Sequence, residues 1–270
     1  MTILETAYAK INLALHVRRR REDGYHELET LFAFVDFGDR LVAEPSARDE
    51  LHVTGEFAGA LDDPFGNIVA KALNSLPHGP GWRVTLDKRL PVAAGLGGGS
   101  ADAGAVFRMV ESTFGLPDNW LEKTAKLGAD VPACVKSVAC IGTGTGTDLA
   151  PLENDIDGLW ALLVNPRQRL ATGPVFKAWD GTDRGPLPIG SARAIAQAGR
   201  NDLASPAQVL CPAIADVLTA LSGTNPWLVR MSGSGATCFG LYESDAEAIA
   251  AQTQLAAAHP DWWFATGALR

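Results

Sequence analysis

The sequence predicts an α+β fold in two domains, a mixed α/β N-terminal domain over residues 1–153 and a C-terminal domain over residues 154–270. Three observations predict it. The segment 7–17 alternates with the period of a half-buried strand. A second alternating stretch, Trp82, Val84 and Leu86, runs through a glycine-rich loop into apolar residues at helical spacing. Beyond residue 158 the main elements follow the order β-α-β-β-α-β, the ferredoxin-like pattern, once extra helical pieces are set aside.

In the first strand Ala7, Ala9, Ile11, Leu13, Leu15 and Val17 share one face. Tyr8, Lys10, Asn12, Ala14 and His16 share the other, which presents Lys10 and Asn12 on one surface. Residues 18–24 form a charged turn, followed by Tyr25-His26, and 28–37 and 40–44 read as two further strands of a meander. After the loop at 91–99, Val106, Met109, Val110 and Phe114 mark a helix, with Ser100 as N-cap, Gly115 just past its end and Pro117 beyond. A second helix is expected near 118–127, and Gly128-Ala129-Asp130-Val131-Pro132 opens a third, with Pro132 suited to the first turn. The Pro/Asn/Asp/Gly-rich stretch at 152–157 marks the boundary. Then come a strand at 159–164, helices near 172–179 and 206–221, strands at 227–231 and 237–242, a helix at 245–258 and a last strand at 262–266.

Composition removes several function classes. A formal net charge of −8 supplies no global positive field for nucleic acid or anionic membrane. Cys134, Cys140, Cys211 and Cys238 show no C-x-x-C and no metal spacing with the five histidines, so reduced thiols are expected rather than zinc or a disulfide framework. The N-terminal segment is interrupted by Glu5, Lys10 and Asn12, and no apolar run approaches the roughly 20 residues of a membrane helix. A cytoplasmic protein is expected.

Glycine is in excess, 28 of 270 residues, and its placement matters. Gly95, Gly97, Gly98 and Gly99 precede the helix that starts near Ser100, where free N–H groups and the positive dipole end point back into the loop. That combination suits phosphate; the other reading is a flexible turn before a helix. It is not a Walker A loop, since Gly98-Gly99-Ser100 stands where Gly-Lys-Ser/Thr is required, and Ser100 breaks the dinucleotide fingerprint. Ser232-Gly233-Ser234-Gly235-Ala236 is either an ordinary hairpin or a close backbone approach to a ligand or to the first loop. Residues 142–146 read as a turn. Lys10 reads as a solvated strand-edge residue, and Asp130 either as a helix cap or as a base or a partner for a cation, kept ionised by the helix end. Tyr25-His26 either pack or stack on a base.

Taken together, Ala9-Lys10-Ile11-Asn12-Leu13, Gly24-Tyr25-His26-Glu27-Leu28, the loop at 91–105, Gly128-Ala129-Asp130-Val131-Pro132, Asn201-Asp202-Leu203 and the loop at 231–236 resemble the GHMP kinase superfamily. They occur in family order over nearly the whole chain.

The resemblance implies the two-domain GHMP kinase fold and an ATP-dependent small-molecule kinase with an alcohol as acceptor. It implies Asp130 as the catalytic base, with Lys10 polarising the acceptor hydroxyl or the transferring phosphate. Pro91, Val92, Ala93, Ala94, Gly95, Leu96, Gly97, Gly98, Gly99, Ser100 and Ala101 would wrap the ATP phosphates, and Asn67 and Lys88 match positions near the nucleotide. The implied acceptor carries a cytidine diphosphate group: Tyr25 and Phe176 would sandwich the cytosine, His26 would hydrogen-bond it, and Asn12 and Thr172 would contact its polar groups. Magnesium is expected to travel with ATP, with no dedicated ligand picked out. The partner is then a small molecule, with no nucleic acid and no membrane, for a monomer or homodimer. Two positions depart from the family pattern: Ala101 replaces a frequent second serine, and Thr147 stands where glutamate often follows Gly144-x-Gly146. They bear on metal and loop detail, not on Lys10 or Asp130. Another superfamily kinase would not need Tyr25-His26 or Phe176, and a superfamily member reduced to ligand binding would have lost Lys10 or Asp130.

Overall fold

The computed structural model describes residues 2–61 and 67–270. In chain order the elements are β1 (Ile3–Arg20), β2 (His26–Pro45), β3 (Glu50–Thr54), α1 (Ile68–Ser75), β4 (Trp82–Asp87), α2 (Gly98–Phe114), α3 (Trp120–Leu127) and α4 (Val131–Lys136). Then follow β5 (Cys140–Gly144), β6 (Asp148–Ala150), β7 (Trp160–Asn165), α5 (Thr172–Ala178), α6 (Ala192–Ala198), α7 (Ala204–Leu210) and α8 (Ala213–Ser222). The chain ends with β8 (Leu228–Met231), β9 (Cys238–Tyr242), α9 (Asp245–Ala258) and β10 (Trp263–Ala268).

The chain forms two compact units. The first holds the chain up to Ala9, Gly38–Val92 and Gly97–Ser137; the second holds Lys10–Phe37, Ala93–Leu96 and Val138–Arg270. Because β1 and β2 are 18 and 20 residues long, each continues from one unit into the other, and residues 154–270 fall wholly in the second.

In the first unit β4 pairs antiparallel with the C-terminal half of β2, Leu41 opposite Leu86, and parallel with β3. Leu41, Val84 and Leu86 are buried, as are Val106, Phe107, Met109 and Val110 on α2. The strands expected at 28–37 and 40–44 are one continuous strand. Gly38 lies where a Cβ would meet the Ala7 carbonyl oxygen at 1.9 Å, so a residue that looks like a turn is instead the one that lets two strands pass closely.

In the second unit the N-terminal half of β2 pairs with β5, and β5 with β6, so the glycines of 142–146 join two strands that the sequence reading left as a turn. The remaining sheet has the order β10-β7-β9-β8 with antiparallel neighbours, which is the fourth-first-third-second arrangement of a ferredoxin-like unit. Leu162 and Val164 of β7, Val175 of α5, Val217 of α8 and Leu255 of α9 close its core together with Leu15 and Val17 of β1. The single helix expected over 206–221 is broken in two at Cys211-Pro212, where proline has no N–H to continue the ladder. No described helix is long and apolar enough to cross a membrane.

Candidate functional site

Within the second unit, β1 places Lys10 and Asn12 side by side on the face the alternation assigned them. Lys10 is 4% exposed, and its Nζ donates to Asn12 Oδ1 at 2.9 Å and lies 5.5 Å from the centre of the Phe32 ring. Asn12 Nδ2 donates in turn to Thr30 Oγ1 at 2.8 Å, and Thr30 Oγ1 to the Ala14 carbonyl at 2.7 Å. This chain of donors holds the Lys10 ammonium in one orientation on the strand face. Its backbone N–H donates to the Leu96 carbonyl at 2.9 Å, which ties β1 to the glycine loop.

That loop meets the second glycine loop backbone to backbone. Ser232 Oγ donates to the Gly95 carbonyl at 2.8 Å and accepts from the Asn12 N–H at 3.3 Å, and the Thr237 N–H donates to the Ala94 carbonyl at 3.1 Å. A Cβ on Gly95, whose φ is +78°, would lie 2.3 Å from the Ser232 carbonyl oxygen. Of the two readings of 232–236, the close approach to the first loop is the one observed. Ser234 Oγ lies 3.0 Å from Thr172 Oγ1, which brings the expected contact residue Thr172 to the same loop.

Asn201-Asp202 supplies a clamp that the sequence reading did not interpret. Asn201 Nδ2 donates to the carbonyls of Met231 and Gly233, each at 2.8 Å, while Asp202 Oδ2 accepts from the Val17 N–H at 2.9 Å. One dipeptide therefore holds both the glycine loop and β1. The signal available in the sequence was only the pairing of two buried polar types before an apolar residue.

The aromatic residues form a separate cluster in this unit. Tyr25 is 64% exposed at the tip of the 21–25 turn, His26 packs on Phe176 with ring centres 4.9 Å apart, and Trp179 meets His26 edge-on at 5.7 Å. Arg20 lies over the Trp179 ring. His26 Nε2 and Trp179 Nε1 are buried and find no hydrogen-bond partner among the described residues. Burial first, and the Arg20 guanidinium second, hold the His26 imidazole below the usual histidine range. The ring is neutral at pH 7, and its buried nitrogen is available to a ligand. Trp179 was not among the expected site residues, although Thr172, Phe176 and Trp179 recur at helical spacing.

In the first unit the second half of the glycine loop becomes a helix. Gly97 is in the left-handed conformation at φ +62° and caps α2, which starts two residues before the expected N-cap Ser100. The first helical bond runs from the Ala101 N–H to the Gly97 carbonyl. Gly98, Gly99 and Ser100 have no carbonyl four residues earlier inside the helix, so their N–H groups and the dipole end have the chemistry to hold a polyphosphate. Asn67 caps α1, accepting from the Val69 N–H at 2.8 Å, and Ile68 Cγ2 lies 3.6 Å from where Gly99 would carry a Cβ.

Lys88 is also beneath this turn, with Nζ 3.6 Å from the Gly98 Cβ position. Its side chain is only 3% exposed and is committed to two carboxylates: it bonds Asp39 Oδ2 and donates to Asp102 Oδ2 at 2.8 Å. Asp39 Oδ1 accepts from the N–H groups of Arg89 and Leu90 at 2.5 and 2.7 Å. Complete burial pushes the Asp102 carboxyl well up, Lys88 pulls it down, and Asp39 pushes it up again. Burial alone would lower Lys88, but the two carboxylates outweigh it and raise it. The two carboxylates thus hold Lys88 in its charged form, while burial favours the protonated form of Asp102.

Asp130 stands at the start of α4 without a side-chain cap bond, so it is not spent on the capping role that was the alternative reading. Pro132 occupies the first turn as expected. Among the described residues no group of three or more His, Cys, Asp and Glu side chains would hold a metal ion.

Sequence models of two domains match the chain: GHMP kinases N terminal domain over residues 67–138, and GHMP kinases C terminal over residues 189–261. The fold and the glycine loop thereby fall in one class, the GHMP kinases. Over its full length the chain is 68% identical to the 4-diphosphocytidyl-2-C-methyl-D-erythritol kinase of Novosphingobium aromaticivorans, covering 94% of that protein. Its counterpart in Erythrobacter litoralis is 62% identical over 99% of this chain and 100% of its own. A crystal structure of a 4-(cytidine 5'-diphospho)-2C-methyl-D-erythritol kinase superposes with a TM-score of 0.80 at 35% identity, covering 99% of both chains. Homoserine kinase from Cytophaga hutchinsonii, at 15% identity and a TM-score of 0.64 over 99% of this chain and 95% of its own, shares the fold. The chain belongs to the 4-diphosphocytidyl-2-C-methyl-D-erythritol kinase family of the GHMP kinases.

Proposed function

We propose that the protein transfers the γ-phosphate of ATP to the 2-hydroxyl of 4-diphosphocytidyl-2-C-methyl-D-erythritol, a step of the methylerythritol phosphate route to isoprenoid precursors. The names of relatives 62–68% identical over the full length support the activity. The observation on this chain that carries the substrate class is the neutral, buried and unpartnered Nε2 of His26 beside Phe176. A cytosine edge offers such a nitrogen a hydrogen-bond partner, and its face offers Phe176 and exposed Tyr25 a stacking surface.

In this proposal Asp130 takes the proton of the acceptor hydroxyl, and Lys10, oriented by Asn12, stabilises charge on the transferring group. The loop of residues 91–101 binds the ATP phosphates through backbone N–H groups, Asn67 lies near the nucleotide, and Lys88 supports the loop from beneath. Asn12 and Thr172 contact the polar part of the acceptor. Magnesium bound with ATP would neutralise phosphate charge. The division into residues 1–153 and 154–270 is proposed as the evolutionary one, supported by the two family models falling on either side of it.

The test is ADP release from ATP with the purified protein. Turnover with 4-diphosphocytidyl-2-C-methyl-D-erythritol and none with mevalonate or homoserine is expected; the reverse pattern overturns the assignment.

A further inference from the structure

In the first unit, α2 packs on α4 and on the turn that leads into it. Near the start, a Cβ on Gly128 would lie 3.7 Å from Ser100 Oγ. Further along, a Cβ on Gly104 would lie 2.5 Å from the Cys134 carbonyl oxygen and 2.6 Å from its carbon, so the backbones are in direct contact. Pairing 100 with 128 and 104 with 134 makes the two segments run in the same direction. In the chain Asp130 falls between these two contacts, two residues after Gly128, whose Cβ position faces Ser100 in the first turn of α2.

One turn beyond Gly104, Arg108 locks this register. Its Nη1 donates to the Cys134 carbonyl at 2.7 Å, the Val135 carbonyl at 3.3 Å and Ser137 Oγ at 3.2 Å. Its Nη2 donates to the Thr6 carbonyl at 2.7 Å and its Nε to Glu5 Oε2 at 3.0 Å, which fixes the guanidinium from β1. The Cys134 and Val135 carbonyls lie in the last turn of α4, beyond the final backbone bond from the Ser137 N–H to the Ala133 carbonyl, and the Cys134 carbonyl also accepts from Ser137 Oγ at 2.7 Å. A six-residue helix has little stability of its own, so its placement depends on such contacts.

We propose that Arg108, with Gly104, is a positioning residue for phosphoryl transfer: it holds α4 in the register on α2 that sets Asp130 against the phosphate-binding turn. This rests on the base role proposed for Asp130. The hydrogen bonds of Arg108 among the described residues go to α4, Ser137 and β1, so its loss is expected to act on the chemical step rather than on substrate binding. A displacement of about 1 Å costs up to roughly a hundredfold in rate.

The experiment compares kcat and both KM values of Arg108→Met, Arg108→Lys, Glu5→Gln and Asp130→Asn, with a thermal midpoint for each. Arg108→Met is expected to lose about tenfold to a hundredfold in kcat with both KM values within about twofold. Arg108→Lys, which keeps a donor near the same carbonyls, is expected to recover part of the loss, and it carries the comparison if the methionine variant is insoluble. Glu5→Gln, which leaves the carbonyl contacts in place, keeps turnover. Wild-type kcat in Arg108→Met with an inactive Asp130→Asn overturns the positioning role alone. Full turnover in Asp130→Asn removes the base and the proposal with it, and KM values that rise in step with lost thermal stability reduce Arg108 to a purely structural residue.

Discussion

The hydroxyl of Ser232 donates to the carbonyl oxygen of Gly95 at 2.8 Å, so residues 137 positions apart hold the first glycine loop to the second. At this junction Gly95 leaves no room for a side chain. Gly95→Ala would place a methyl 2.3 Å from the Ser232 carbonyl oxygen and force an L-residue into φ +78°. Left-handed strain costs about 1–3 kcal/mol, and overpacking costs about the same again. The expected result is a lowered thermal midpoint that ADP no longer raises. If ADP protects Gly95→Ala as well as it protects the wild type, the loop junction does not shape the nucleotide site.

A second prediction concerns the buried Asp39-Lys88-Asp102 group. One ammonium between two carboxylates leaves one negative charge too many for a dry site, and the neutral form of Asp102 removes it. Because burial raises the Asp102 carboxyl, the stability it supplies is complete below the unfolded value of 3.8 and is lost as pH rises through the folded value. Asp102→Asn keeps the shape without the proton. It is expected to fold at least as stably as the wild type and to lose less stability as pH rises. Lys88→Met leaves two buried carboxyls without their ammonium partner and is expected to cost about 3–5 kcal/mol. Denaturant midpoints measured from about pH 5 to about pH 9 check both; equal damage from the two substitutions would contradict the charge assignment.

That group also shows where sequence reasoning stops. Lys88 was legible as a residue near the nucleotide, but its partners are 49 and 14 positions away, and no local periodicity links them. The alternation of 7–17, by contrast, is set by the backbone pleat itself, so the common face of Lys10 and Asn12 was legible. The ferredoxin-like order was legible because each strand of β7, β8, β9 and β10 is bounded by helix or turn residues. Gly38 misled, since the same residue marks a turn or a close strand crossing, and only the Ala7 backbone decides which. Trp179 was readable as a helix-face aromatic; its orphaned N–H is a property of the packed cluster.

The state of His26 leads to a pH prediction. Its imidazole is held below the ordinary value of 6.5 by burial and then by Arg20, so the neutral ring is secured above 6.5 and is lost as pH falls through the lowered folded value. KM for the cytidine substrate is therefore expected to rise on the acid side, at a pH below that of a solvent-exposed histidine, while KM for ATP stays flat. Arg20→Gln removes the second cause and is expected to move the rise in KM toward higher pH. A flat KM profile for the cytidine substrate would show that Nε2 of His26 does not meet the base.

The last prediction separates the roles of Asp130 and Lys10. A general base of this kind contributes about 10²–10⁴ in rate. Asp130→Asn keeps the shape of the side chain without its basicity and is therefore expected to lose that factor in kcat with little change in either KM. Lys10 is different, because its ammonium both carries charge and holds Asn12. Lys10→Met removes one preorganised charge, which costs about 10²–10³ in kcat, and it releases Asn12 Oδ1 from its donor, which raises KM for the acceptor. At 4% exposure there is no room for a guanidinium, so Lys10→Arg is expected not to rescue either parameter. Steady-state kinetics on the three variants check the split; an unchanged acceptor KM in Lys10→Met would mean that Asn12 reaches the substrate without help from Lys10.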